Sequence, residues 1–215
     1  MNAHLLFRLF TYAVTTALGL IVATNLFVDA VKPRLPVVFN SHDSYAKTGQ
    51  ACFSSVIGFY RTDLKINCAL ARSMQALNTA GASQPELNKQ AQATVVAALT
   101  SAPHESRLWL ALALLQSELN QPNNNALKMS YLTAPNDAEL ITMRLPNVVS
   151  KDAVADPDLR SQAAGDVRLI LTNRPDMTEV IVSAYKQASL VGKAFIEDRT
   201  GILDPKLLDS LRGSR

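Results

Sequence analysis

Histidine, cysteine and aromatic residues are all scarce in this chain, and each shortage removes a class of function. Only three histidines occur in 215 residues. His4, His42 and His104 have no acidic residue or cysteine at metal-ligand spacing, and His104, following Pro103, reads as a solvated turn residue rather than a base. There is no P-loop, no dinucleotide fingerprint, no G-x-S-x-G and no H-E-x-x-H. Acidic pairs do occur, as at Asp156 with Asp158 and at Glu197 with Asp198, but each is explained by a helix cap or a solvated face. The expectation is a non-enzymatic protein with no metal and no cofactor. Charged residues make up 18% and the net charge is +3, with Lys and Arg scattered rather than clustered, so nucleic acid is not an expected partner. Aromatics at 6% leave few rings to line a ligand pocket.

The longest absence of charge lies near the start. From Leu9 to Val28 there are twenty uncharged residues, which as a helix extend about 30 Å, the thickness of a bilayer's hydrocarbon core. The stretch predicts a transmembrane helix. Arg8 precedes it while Lys32 and Arg34 follow, so basic residues alone leave the orientation open; the eight-residue leading tail offers little to translocate and favours an inside amino terminus. A signal peptide cut after Ala30 is the competing reading, but the apolar stretch exceeds the roughly 7–15 residues of such signals. Two prolines in Lys32-Pro33-Arg34-Leu35-Pro36 then stop the helix and predict a stiff spacer.

Beyond the spacer, residues 44–59 and 63–78 read as helices, the second from apolar residues at Leu64, Ala71, Met74 and Leu77 on one face. Cys52 and Cys68 stand eight residues on either side of Tyr60. An antiparallel hairpin brings them together, whereas in one continuous helix they are about 24 Å apart. In a domain outside the cytoplasm the expectation is a disulfide; two reduced, buried cysteines acting as small apolar residues are the alternative.

Between Pro85 and Leu115 the pattern becomes specific. Ala91, Val95, Ala98 and Pro103 follow the spacing A-x3-[apolar]-x2-A-x4-P, and Trp109, Leu112 and Ala113 continue in phase as W-x2-L-[GA]. Small residues at these places let helices approach, and Trp109 and Leu112 fill the space between pairs. This stretch resembles the tetratricopeptide repeat, and Leu70-Ala71 fit the position of Leu112-Ala113 one repeat earlier. About eight extra residues around Gly81-Ala82-Ser83 interrupt the register, and the helix after Pro122-Asn123-Asn124-Asn125 is one residue out of phase, so the resemblance implies two degenerate repeats. The segment from Ser130 to Asn136 is similar to the tail of small single-pass proteins of alphaproteobacterial type, some linked to envelope polysaccharide.

Asp156-Pro157 opens a further helix, with an apolar stripe at Leu159, Ala163, Val167, Ile170 and Leu171 and an end near Asn173. Arg174-Pro175-Asp176 restarts the chain, Met177, Val180, Ile181, Ala184 and Tyr185 make the next stripe, a short helix covers 191–198, and after Gly201 another opens at Asp204-Pro205. No segment shows bounded period-two alternation, so the fold class is all-α. The expected organisation is a cytoplasmic tail (1–8), a transmembrane signal anchor (9–31), a proline-containing linker (32–43), a tetratricopeptide-like helical domain (44–150) and a C-terminal helical extension packed on it (151–215).

The function expected from these features is a scaffold or adaptor at the bacterial inner membrane, its bulk in the periplasm, binding a protein partner in connection with envelope or polysaccharide assembly. Candidate contact residues are Gln116 and Asn120, with Trp109 serving packing first. A small-ligand or glycan-binding envelope module is the second reading, and a structural subunit of a larger membrane complex the third.

Overall fold

The computed structural model describes residues 3–31, 44–58, 60–151 and 153–213. The predicted linker at 32–43 lies outside them, with Met1, Asn2, His42 and Phe59. Among the described residues there are eleven α-helices, two short 3-10 turns and no strand, so the chain is all-helical.

Helix α1 (Ala3–Val31) carries one apolar stretch, Phe7–Ala30, long and apolar enough to cross a membrane. Its threonines do not break the apolar surface, because their hydroxyls bond back to the helix: Thr11 Oγ1 donates to the Phe7 carbonyl at 2.7 Å, Thr16 to Tyr12 at 2.7 Å and Thr24 to Leu20 at 2.8 Å. Satisfying polar groups within the segment is what a medium without water requires.

Helices α2 (Ser44–Ile57) and α3 (Thr62–Asn78) form an antiparallel hairpin, and the sulfurs of Cys52 and Cys68 are bonded across it with their Cα atoms 4.5 Å apart. Gly81, at φ +109°, makes the turn into α4 (Gln84–Ser101), a backbone conformation that suits glycine. Then come α5 (Ser106–Glu118) and α6 (Asn124–Thr133). Consecutive helices pack against each other through this half, and α3 also touches α5. Leu108, Leu110, Ala111 and Leu115 of α5 are fully buried, which makes α5 the centre of the first layer of the core.

The second half gathers around α7 (Ala138–Ser150), which contacts α8 (Pro157–Asn173), α9 (Thr178–Gln187) and α10 (Leu190–Leu203) as well as α5. Buried Leu140, Ile141, Leu145, Val148 and Val149 give α7 its inward stripe, and Pro146 sits inside the helix. Asp156 caps α8, accepting from the Asp158 and Leu159 amides, and the Lys128 ammonium lies 2.8 Å from it, which ties α6 to the start of α8. Burial apposes α10 to α7 closely. The Ser189 amide donates to the Val149 carbonyl at 3.0 Å, and Gly192 lies so near that a Cβ there would stand 2.1 Å from the same oxygen.

One boundary corrects the sequence reading. The helix expected over 191–198 runs on through Gly201 to Leu203 before α11 (Pro205–Gly213) begins. The cause is tertiary: Thr200 is fully buried, and its hydroxyl bonds back to the Ile196 carbonyl at 2.7 Å, so the turn at 198–201 is held by packing that outweighs glycine's helix cost.

Candidate functional site

The residues singled out by the repeat pattern are mostly interior. Leu70, Ala91, Val95, Ala98, Leu112 and Ala113 belong to one buried cluster. Ala71 is buried beneath α2, its carbonyl accepting from Thr48 Oγ1 at 3.2 Å. Pro103 is exposed and its carbonyl accepts from Trp109 Nε1 at 2.8 Å, while the indole ring packs against the core. Trp109 is therefore a strut rather than a contact surface. Gln116 is half-buried with an Oε1 that meets no donor among the described residues, and Asn120 is exposed with φ 54° in the turn that ends α5.

Two features that the residue patterns did not single out are more distinctive. The first is a sealed polar cluster where α6, α7 and α8 meet. Arg144 and Tyr131 are fully buried and Asp166 nearly so. Tyr131 donates to Asp166 Oδ2 at 2.7 Å, and Arg144 donates from Nε to Ser130 Oγ at 3.0 Å, from Nη1 to the Ala134 carbonyl at 2.8 Å and from Nη2 to the Ser130 carbonyl. The guanidinium also lies over the Tyr131 ring, 4.8 Å from its centre. Burial pushes the Asp166 carboxyl up to about 7, against the opposing pull of the Tyr131 hydrogen bond and the Arg144 charge. Burial likewise drives the Tyr131 phenol well above its usual value and lowers Arg144. Closed to solvent, these groups can reach no substrate; what they do is fix the register of three helices. Each takes a place in an apolar stripe, Arg144 beside Leu140 and Leu145, Asp166 beside Ala163 and Val167, so opposite charges at core positions on two helices were the available signal.

The second feature is a groove of about 680 Å³ running along the outer face of α8 and bounded by α10. Arg168 and Arg199 stand in its wall with Asn136, Ser161, Thr172 and Asn173, and Leu169, Ile202 and Leu203 supply the apolar side. No acidic and no aromatic residue lines it. The Arg168 side chain is exposed, with no hydrogen bond or ion pair to any described residue. Asp198 Oδ2 lies 3.3 Å from Arg199 Nε, yet that buried nitrogen makes no hydrogen bond, so the pair is close in charge but poorly aligned. Ser161 also borders a smaller depression of about 220 Å³ beside Leu132, Lys128 and Asp158, where the lysine is already paired with the Asp158 carboxylate at 2.8 Å. Such a surface suits an anionic, partly apolar ligand. No family model, curated protein or solved structure matches this chain. The groove and the long apolar helix α1 are therefore the two features from which a function can be read. Among the described residues no group of three or more His, Cys, Asp or Glu side chains is placed to hold a metal ion.

Proposed function

We propose that this chain is a membrane-anchored, non-catalytic adaptor: α1 sits in a bacterial inner membrane, the helical domain stands in the periplasm, and the groove between α8 and α10 receives an acidic segment of a partner protein. The observation that carries the reading is the groove, two arginines little used by the fold beside exposed Ile202 and Leu203, with no carboxylate in its lining. Guanidinium groups paired with apolar contacts are what an acidic, amphipathic segment requires. The absence of rings weighs against a sugar-binding reading, which has only the polar side chains of the lining in its favour.

The anchor is supported by α1 itself, whose side chains are nearly all exposed although it is the most apolar helix; a core helix of a soluble protein would bury them. A disulfide suits an oxidising compartment, as the periplasm is. Kinship with tetratricopeptide repeats is supported by the contact of α3 with α5 and of α5 with α7, helices two apart along the chain, as in stacked helix pairs. Gathering α8, α9 and α10 around α7 departs from that plan, so the proposed adaptor works through its C-terminal groove rather than through a superhelical concave face.

A photo-crosslinking residue in place of Thr172, expressed in living cells, tests this. Capture of one protein is expected, with capture lost in Arg168→Glu/Arg199→Glu and restored when acidic residues in the captured segment are reversed to basic ones. Capture indifferent to these charges, or capture of polysaccharide, would contradict the adaptor.

A further inference from the structure

The tip of the α2–α3 hairpin rests on the far end of the anchor helix. Tyr60 donates to Asn25 Oδ1 at 2.7 Å, Arg61 Nη2 lies 2.8 Å from Asp29, and Val28, between them on α1, is only 2% exposed. Arg61 is held from its other side by Asp63 at 2.9 Å, so the contact is braced rather than glancing. These partners fix the depth of the tip. The apolar stretch Phe7–Ala30 has 24 residues, about 36 Å of helix against about 30 Å of hydrocarbon, so a centred helix overshoots by about 3 Å at each end. Asn25 then lies about 5 Å inside the boundary of the hydrocarbon, with Asp29 close to that boundary.

Side chains near this tip point apolar surface outward. Phe53 and Val56, three residues apart on one face of α2, are 58% and 73% exposed, and Tyr60 is 55% exposed. Among the described residues nothing covers Phe53 and Val56, yet they belong to the helix that touches α1. A tyrosine whose hydroxyl reaches a polar group just inside the boundary and whose ring remains exposed matches the preference of aromatic side chains for the membrane interface. Exposed Lys65, one turn into α3, adds a cation of the sign that anionic headgroups attract.

We propose that the disulfide-bridged hairpin tip is a membrane-interface element, with Phe53, Val56 and Tyr60 embedded at the headgroup–acyl boundary of the leaflet in which α1 ends. The occupant of this apolar face is lipid. The domain is thereby held against the membrane at a second place, and its groove has a set orientation relative to the surface. The inference rests on α1 spanning the bilayer, and the test separates the two.

Full-length Val56→Cys, Leu18→Cys and Leu190→Cys are each labelled with an environment-sensitive fluorophore, the native bridge leaving Cys52 and Cys68 unreactive, and reconstituted into phosphatidylethanolamine/phosphatidylglycerol vesicles. Leu18 lies in mid-α1 and Leu190, 88% exposed, stands on α10. Quenching is read from nitroxide lipids, labelled shallow or deep, and from a water-soluble quencher. The probe at 56 is expected to lose about half or more of its emission to the shallow lipid label, as a group buried about 5–10 Å into the interface must. The probe at 18 should respond to the deep label, and that at 190 to the aqueous quencher alone. If 56 behaves like 190 while 18 responds to lipid, the tip proposal fails and the anchor stands; if 18 ignores lipid, both fail. Shielding of 56 from lipid and aqueous quenchers alike means protein covers the face, and this too overturns the proposal.

Discussion

Raising pH from 5 to 8 should destabilise this protein, the reverse of what exposed carboxylates do, and Asp166 is the reason. Its carboxyl is held at about 7 in the folded chain by burial between Tyr131 and the core, against an ordinary value near 3.9 when unfolded. The folded state therefore keeps a proton that the unfolded state releases. That contribution is complete below about pH 4 and disappears as pH rises through about 7. Two of the three pH units between 5 and 8 fall below the folded pKa, at about 1.4 kcal/mol each, so about 3 kcal/mol is lost across the range. For a chain of this size the melting midpoint should fall by roughly 6–12 °C. Asp156 and Asp176, which ion pairs hold below the usual carboxylate range, act in the opposite direction and lose their contribution only as pH falls toward their own pKa values. Thermal melts of the detergent-solubilised protein followed by circular dichroism provide the assay. Asp166→Asn, which can still accept the Tyr131 hydrogen bond, should abolish most of the slope. A wild-type midpoint that is flat or rises from pH 5 to 8 would show the carboxylate ionised throughout, and the account of the buried cluster would be wrong.

Other outcomes follow from individual contacts. Arg144→Met leaves the Ser130 and Ala134 carbonyls without their donor and removes the cation whose charge acts on Asp166, and should cost about 3–5 kcal/mol in chemical denaturation. Gly192→Ala drives a methyl group into the Val149 carbonyl, a backbone atom that cannot step aside, and should lower stability by about 3 kcal/mol or prevent accumulation of the protein, read by expression level and melting midpoint. Cys52→Ser/Cys68→Ser opens a bridge spanning 16 residues of sequence and should cost about 3 kcal/mol in the chain-entropy treatment, with a matching loss of the mobility difference between reduced and oxidised gels.

Much of the helical plan is written in local patterns. Asp156-Pro157 and Asp204-Pro205 announce helix starts because a carboxylate cap followed by proline is a local device, and α8 and α11 begin there. The apolar face of Leu64, Ala71, Met74 and Leu77 corresponds to α3, with the first three buried and Leu77 half-buried against the core. Where the result depends on distant parts of the chain, local patterns fall short. Helix α10 passes through Gly201 because Thr200 is sealed by packing, and α7 tolerates Pro146 because it is packed against four other helices. The groove was not legible at all. Arg168 and Arg199 lie 31 positions apart on different helices, and each alone reads as an ordinary surface charge; only their convergence on one side of α8, with carboxylates absent from the lining, distinguishes them.

The central claim is that α1 holds the chain in a membrane with its helical domain on the non-cytoplasmic side, and protease digestion of spheroplasts from cells expressing the full-length protein tests it most directly. The account predicts that the domain survives in intact cells, is degraded once the outer envelope is opened, and leaves an α1 remnant in the membrane pellet. A domain that resists protease until the inner membrane itself is lysed, or a full-length chain recovered in the soluble fraction, would contradict it.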